Sequence, residues 1–246
     1  MLDIPRPRIL LLEDDAGVRR FIQLALENET VELIACSRLS EALQVLADTS
    51  VGLVFTDLHL PDGSGLDLLE WLQRQKTLAA CRTVVFSGSI DGTVQQQLQD
   101  LHVWRVLHKP VRLDRLHECV REAFSYQDST ALISCALPAE LETDPVAEFF
   151  GGNQGIYEAY RSACLAQLPK DIEEGDQTAR AGDAPALRRV AHNLKSALSM
   201  LGWEHAAQLA RSTEDQAEQG MTDLMRSSWQ RLRQQVRACI VEQQQG

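Results

Sequence analysis

Residues 52–69 read GLVFTDLHLPDGSGLDLL. A short, nearly continuous apolar run stops at Asp57, and residues 65–75 take up helical spacing. Such a run suits a strand covered on both faces, which is the condition inside a parallel sheet. The same alternation recurs on either side. Residues 8–13 (RILLLE), 31–36 (VELIAC), 83–87 (TVVFS) and 103–109 (VWRVLHK) read as further strands, and residues 16–24, 39–47, 93–100 and 112–124 have helical spacing. Repeated strand–helix units predict an α/β, doubly wound, five-stranded parallel sheet over residues 1–126.

Beyond Tyr126 the pattern changes. Residues 127–144 (QDSTALISCALPAELETD) mix polar residues with a short apolar patch and a proline, and they read as a linker that is partly helical. Residues 145–246 carry no strand pattern. Helical segments fall near 153–180, 183–201, 203–218 and 221–243, punctuated by Gly182, Gly202 and Gly220, with Asp183 and Thr222 as candidate N-caps. Short connections between such segments predict an all-α helical bundle.

The bulk properties bound the function classes. Of 246 residues, 44% are hydrophobic and 24% charged, the balance of a soluble globular chain. No run of about 18 apolar residues occurs. The apolar start of the chain meets acid at Glu13, too early for a signal peptide. A cytoplasmic location without a membrane partner is expected. The net charge of −11 is shared, with 13 Lys+Arg against 18 Asp+Glu in residues 1–126 (−5) and 11 against 17 in residues 127–246 (−6). Neither half has the charge to neutralise phosphates along a duplex, so no nucleic-acid partner is expected. Six cysteines lack CxxC spacing and sit mostly among apolar neighbours, which reads as buried thiols and not a disulfide framework.

The polar residues of the first half stand at the strand ends. The first strand ends in Glu13, Asp14 and Asp15, the third in Asp57, the fourth in Ser87 and the fifth in Lys109 followed by Pro110. In an open α/β sheet these carboxyl ends converge on one crevice. Crowded carboxylates repel unless a cation lies among them, and hard oxygen ligands suit Mg²⁺ or Mn²⁺. A metal beside a lysine is also what a phosphoryl group needs while its charge redistributes, and a carboxylate held there can act as nucleophile. Taken singly, each residue has an ordinary explanation, such as a helix cap or a surface lysine. Their coincidence at strand ends favours the site.

ILLLEDD, FTDLHLPDGSGLDLL, VVFSGS and LHKP, in this order and spacing, resemble the response-regulator receiver domain over about 120 residues. The resemblance implies a flavodoxin-like fold with Asp57 as phosphoacceptor. It implies that Asp14, Asp57 and the backbone carbonyl of His59 hold the metal directly and Glu13 through water. Ser87 would then bond the phosphoryl oxygen and Lys109 would pair with it, while Pro110 fits a peptide that is usually cis. His59 occupies a position that influences hydrolysis of the phosphoryl group in this family. One departure is Val106, where the family usually has an aromatic switch residue; Trp104, two residues away on the same side of the strand, is the candidate replacement.

On a helix starting at Asp183, Leu187, Val190, Ala191, Leu194, Ala197, Leu198 and Leu201 form a complete apolar stripe. His192 lies outside it, on a polar stripe with Arg188, Lys195, Ser196 and Ser199, and solvent exposure is expected there. Helical metal sites want a second ligand three or four residues away, but His192 has Arg188, Arg189, Lys195 and Ser196 there. Cations repel a metal and attract an anion, so the position suits phosphoryl acceptance. The stretch DAPALRRVAHNLKSALSMLGW (residues 183–203) resembles the histidine phosphotransfer (HPt) domain, matching at His192, Leu194, Lys195, Leu201 and Gly202. Ser196 departs from the glycine common in that family.

Together the resemblances imply a two-component phosphorelay protein with a sensor histidine kinase and at least one other receiver-domain protein as partners. Asp57 would accept a phosphoryl group and His192 would exchange one, with or without transfer between them. No GxxxxGK[ST] occurs, and residues 151–155 (GGNQG) read as a turn, so no ATP site or autonomous kinase is expected. The other readings are a receiver-gated adaptor, a phosphate sink and a DNA-binding regulator; residues 192–211 have helix–turn–helix-like spacing, but the acidity of the second half stands against the last.

Overall fold

The computed structural model describes residues 6–75, 78, 80–88, 92–124 and 144–245, so residues 127–143 of the expected linker lie outside the described residues. The chain divides into two compact units.

In the first unit, β1 (Arg8–Leu12), β2 (Glu32–Cys36), β3 (Leu53–Asp57), β6 (Arg82–Ser87) and β7 (Arg105–His108) form one parallel sheet in the order β2-β1-β3-β6-β7. The helices between the strands are α1 (Ala16–Leu26), α2 (Leu39–Asp48), α3 (Gly65–Arg74) and α4 (Gly92–Asp100), with α5 (Leu113–Phe124) following β7. This is the expected α/β arrangement. Alternate strand residues face opposite sides. Leu10, Leu12 and Val54 pack with Ala42 and Leu46 of α2 and Leu68 and Leu72 of α3, while Val85 joins Leu69 and Leu98. On the other face Phe55 and Phe86 stack, with ring centroids 5.1 Å apart.

Two elements exceed the sequence expectation. β4 (His59–Leu60) and β5 (Gly63–Ser64) form a small antiparallel hairpin directly after β3. Helix α6 (Pro145–Phe150), capped by the Asp144 carboxylate, precedes the bundle and packs on α5.

The second unit holds α7 (Gln154–Ala181), α8 (Ala184–Met200), α9 (Glu204–Glu218) and α10 (Thr222–Gln245). Each packs on the next and α10 returns to α7, which closes a four-helix bundle, as expected. The core includes Leu168, Ile172, Leu187, Leu194, Leu198, Ala210, Trp229 and Leu232, all buried. Asp183 caps α8 by accepting from the Ala186 N–H at 3.1 Å.

Candidate functional site

The strand order brings the predicted polar residues of the first unit together. β1 and β3 are neighbours, so Glu13 and Asp14, just past the end of β1, lie beside Asp57 at the end of β3. Oxygens of Glu13, Asp14 and Asp57 all lie within 4.8 Å of one another. Lys109, just past β7, reaches across the sheet end: its Nζ lies 2.8 Å from Glu13 Oε2 and 2.7 Å from Asp57 Oδ2. Burial alone would push the ammonium of Lys109 down, but the charges of Asp57 and Glu13 outweigh it and hold Lys109 above its usual value. Ser87 closes β6 and is buried one position past Phe86, the register partner of Asp57. Asp15 has a different task, since its Oδ1 accepts from the N–H groups of Gly17 and Val18 and caps α1.

The Asp57 carboxylate is oriented from both sides. Oδ2 faces Lys109, and Oδ1 accepts from the His59 N–H at 3.2 Å. The Thr56 hydroxyl donates to the Asp57 carbonyl at 2.8 Å. Gly65 lies so close that a Cβ there would stand 2.1 Å from that carbonyl oxygen, a distance no side chain tolerates. Three close carboxylates against the ammonium of Lys109 form a hard, anionic donor set that fits Mg²⁺ or Mn²⁺. The Lys109–Pro110 peptide is cis. Val106 packs beside Val85 and Leu98, whereas the Trp104 ring stacks against the guanidinium groups of Arg82 and Arg105, at 4.6 and 4.8 Å. Trp104 thus stands just before β7, at the end of the strand remote from Lys109.

In the second unit, the His192 Nδ1 lies 2.7 Å from Oε1 of Glu214 on α9, and Lys195 Nζ donates to Oε2 of the same carboxylate at 2.6 Å. Burial works to raise the pKa of Glu214, but the hydrogen bonds and charges of His192 and then Lys195 overcome it and bring it down to about 2. The solvent exposure expected for His192 and Ser196 is corrected, since they are only 6% and 3% exposed. On α9, Glu214 lies against His192, a contact that a polar stripe read on one helix does not reveal. The flanking cations are likewise engaged, Arg188 with Glu218 at 3.0 Å and Arg189 with Glu174 at 3.2 Å. Glu214 escaped the sequence reading because it lies 22 residues from His192, on another helix.

Residues 9–121 match the response regulator receiver domain and residues 159–242 match the Hpt domain. The chain therefore carries a receiver domain followed by an HPt domain, the kinds of domain from which two-component phosphorelays are built. It is 29% identical over 126 residues to the response regulator protein PilR of Pseudomonas aeruginosa, covering 51% of this chain and 28% of PilR. To the sensor protein TorS of Escherichia coli it is 27% identical over 214 residues, covering 85% of this chain and 22% of TorS. To the sensory/regulatory protein RpfC of Xanthomonas campestris pv. campestris it is 22% identical over 241 residues, covering 94% of this chain and 33% of RpfC. The chain thus spans a third or less of the length of these relatives. Among the described residues no helix is long and apolar enough to cross a membrane. Cys36, Cys81, Cys119, Cys164 and Cys239 are free thiols.

Proposed function

We propose that Asp57 accepts a phosphoryl group from a phosphohistidine of a sensor histidine kinase, and that His192 exchanges one with the aspartate of another receiver. The observation that carries this reading is that one chain holds two nucleophiles positioned by charged neighbours, Asp57 joined through Lys109 to Glu13, and His192 hydrogen-bonded to the Glu214 carboxylate that Lys195 also binds. At the first, a carboxylate oxygen of Asp57 attacks phosphorus, an O–P bond forms, and the N–P bond to the donor imidazole breaks with its electron pair returning to nitrogen. Lys109 then balances charge on the phosphoryl oxygens, and the Ser87 hydroxyl bonds one of them. Asp14, Asp57, the His59 carbonyl and Glu13 would hold Mg²⁺, which would supply further charge neutralisation there.

At the second site Glu214 accepts from Nδ1–H, which fixes the tautomer and makes Nε2 the nucleophilic nitrogen. The Glu214 carboxylate also balances the positive charge of the ring once Nε2 carries phosphorus. Lys195, with Arg188 and Ser196 nearby on α8, completes the phosphohistidine surroundings.

The test is transfer of labelled phosphoryl groups from a cognate kinase and from a phosphorylated receiver to the wild type, Asp57→Ala and His192→Ala. Aspartyl phosphate fails in base and histidyl phosphate in acid, so the two labels separate. The expected result is acid-stable label that Asp57→Ala lacks and acid-labile label that His192→Ala lacks. Undiminished uptake and delivery of label by His192→Ala would remove the second domain from the relay. Duplex binding by the wild type would restore the DNA-binding reading.

A further inference from the structure

The hairpin that follows Asp57 also closes the end of another helix. Arg38, in the N-cap position of α2, makes no side-chain cap bond. Asp62, at the tip of the β4–β5 hairpin, supplies the cap from 22 to 23 residues away: its Oδ1 accepts from the Leu39 N–H at 2.8 Å, and its Oδ2 from the Ser40 N–H at 3.0 Å and the Ser40 hydroxyl at 2.8 Å. The contact is close as well as polar, since a Cβ on Gly63 would stand 2.6 Å from Leu39 Cδ2. The other end of the hairpin is tied to the phosphoacceptor, where the His59 N–H donates to Asp57 Oδ1. His59 pairs with Ser64 and Leu60 with Gly63, so the segment from Asp57 to Asp62 is a short braced lever.

We propose that Asp62 couples the chemical state of Asp57 to the N-terminus of α2, making that helix end a phosphorylation-responsive surface. The coupling rests on the reading of Asp57 as phosphoacceptor. An acyl phosphate removes the carboxylate charge that strengthens the His59 N–H bond. The hairpin shifts with its anchor, and the cap it carries shifts on Leu39 and Ser40. Losing a side-chain cap frays the first turn of a helix about fivefold.

The experiment follows the Leu39 and Ser40 amides by NMR hydrogen exchange in the full chain, before and after phosphorylation with acetyl phosphate and Mg²⁺. Occupancy is read separately as an added phosphoryl mass on the intact protein. In the wild type, exchange at both amides is expected to change about fivefold on phosphorylation. In Asp62→Ala these amides exchange fast in both states, while the mass gain and the shift of the His59 amide persist. Asp62→Asn, which keeps one acceptor oxygen, restores part of the response and serves if Asp62→Ala does not fold. A phosphorylated wild type with unchanged Leu39 and Ser40 amides overturns the coupling alone, as does an Asp62→Ala protein that responds like wild type. Absence of any mass gain overturns the Asp57 reading and the coupling with it.

Discussion

Glu214 serves two basic side chains with one carboxylate, and its acidity shows how strongly they hold it. Its folded pKa, about 2, lies below the usual 4.5. A depressed carboxylate pKa stabilises the fold above the unfolded value and loses that contribution as pH falls through the folded value. The full contribution is on the order of 3 kcal/mol, present above about pH 4.5 and lost towards pH 2. Glu214→Gln should therefore flatten the acid side of the stability profile, measured by urea unfolding between pH 6 and pH 3. An unchanged slope would show that the carboxylate is not held as described. In the first unit, Gly65→Ala places a methyl against the Asp57 carbonyl and should cost about 3 kcal/mol or more. It should also abolish phosphorylation at Asp57, read as loss of the added phosphoryl mass. The two sites differ in legibility. Glu13, Asp57 and Lys109 stand where apolar runs stop, so strand ends locate them; Glu214 is one acid among several on α9, and only the packing of two helices gives it meaning.

Elements were legible where a period could establish itself. The five long strands and the helices from α1 to α5 and α7 to α10 each span enough residues for apolar spacing to repeat. The β4–β5 hairpin contributes two residues per strand and α6 only six in all, too few for any period. For α6 the available signal was local chemistry, an aspartate before a proline and glycine just after Phe150. Packing between helices adds constraints that no single helix reveals. In α7, Gly175 lies under the Trp229 ring of α10, and a Cβ there would stand 2.1 Å from it. The indole N–H donates to Asp176 at 2.8 Å, and Arg233 binds the same carboxylate, so the ring has little room to retreat. Gly175→Ala should destabilise the bundle by about 3 kcal/mol, seen as a lower Tm and a changed Trp fluorescence. A Tm within error of wild type would mean that the ring is not fixed there.

Over the whole chain, two sites of opposite polarity are held in two separate folds. In the receiver domain a cation lies between acids; in the HPt domain an anion lies between bases. That contrast has a consequence for time. A phosphoryl group on Asp57 would add negative charge to a pocket of three carboxylates in which Lys109 is already shared between Glu13 and Asp57. One on Nε2 of His192 would sit on a ring whose Nδ1 already faces the Glu214 carboxylate, with Lys195 on that same carboxylate. The aspartyl phosphate should decay faster than the histidyl phosphate in the same protein at neutral pH, measured as label lifetimes in His192→Ala and Asp57→Ala. Equal lifetimes would show that charge polarity does not set them. With lifetimes in that order, the first domain would work as a clock that runs down and the second as a reservoir that keeps what it is given.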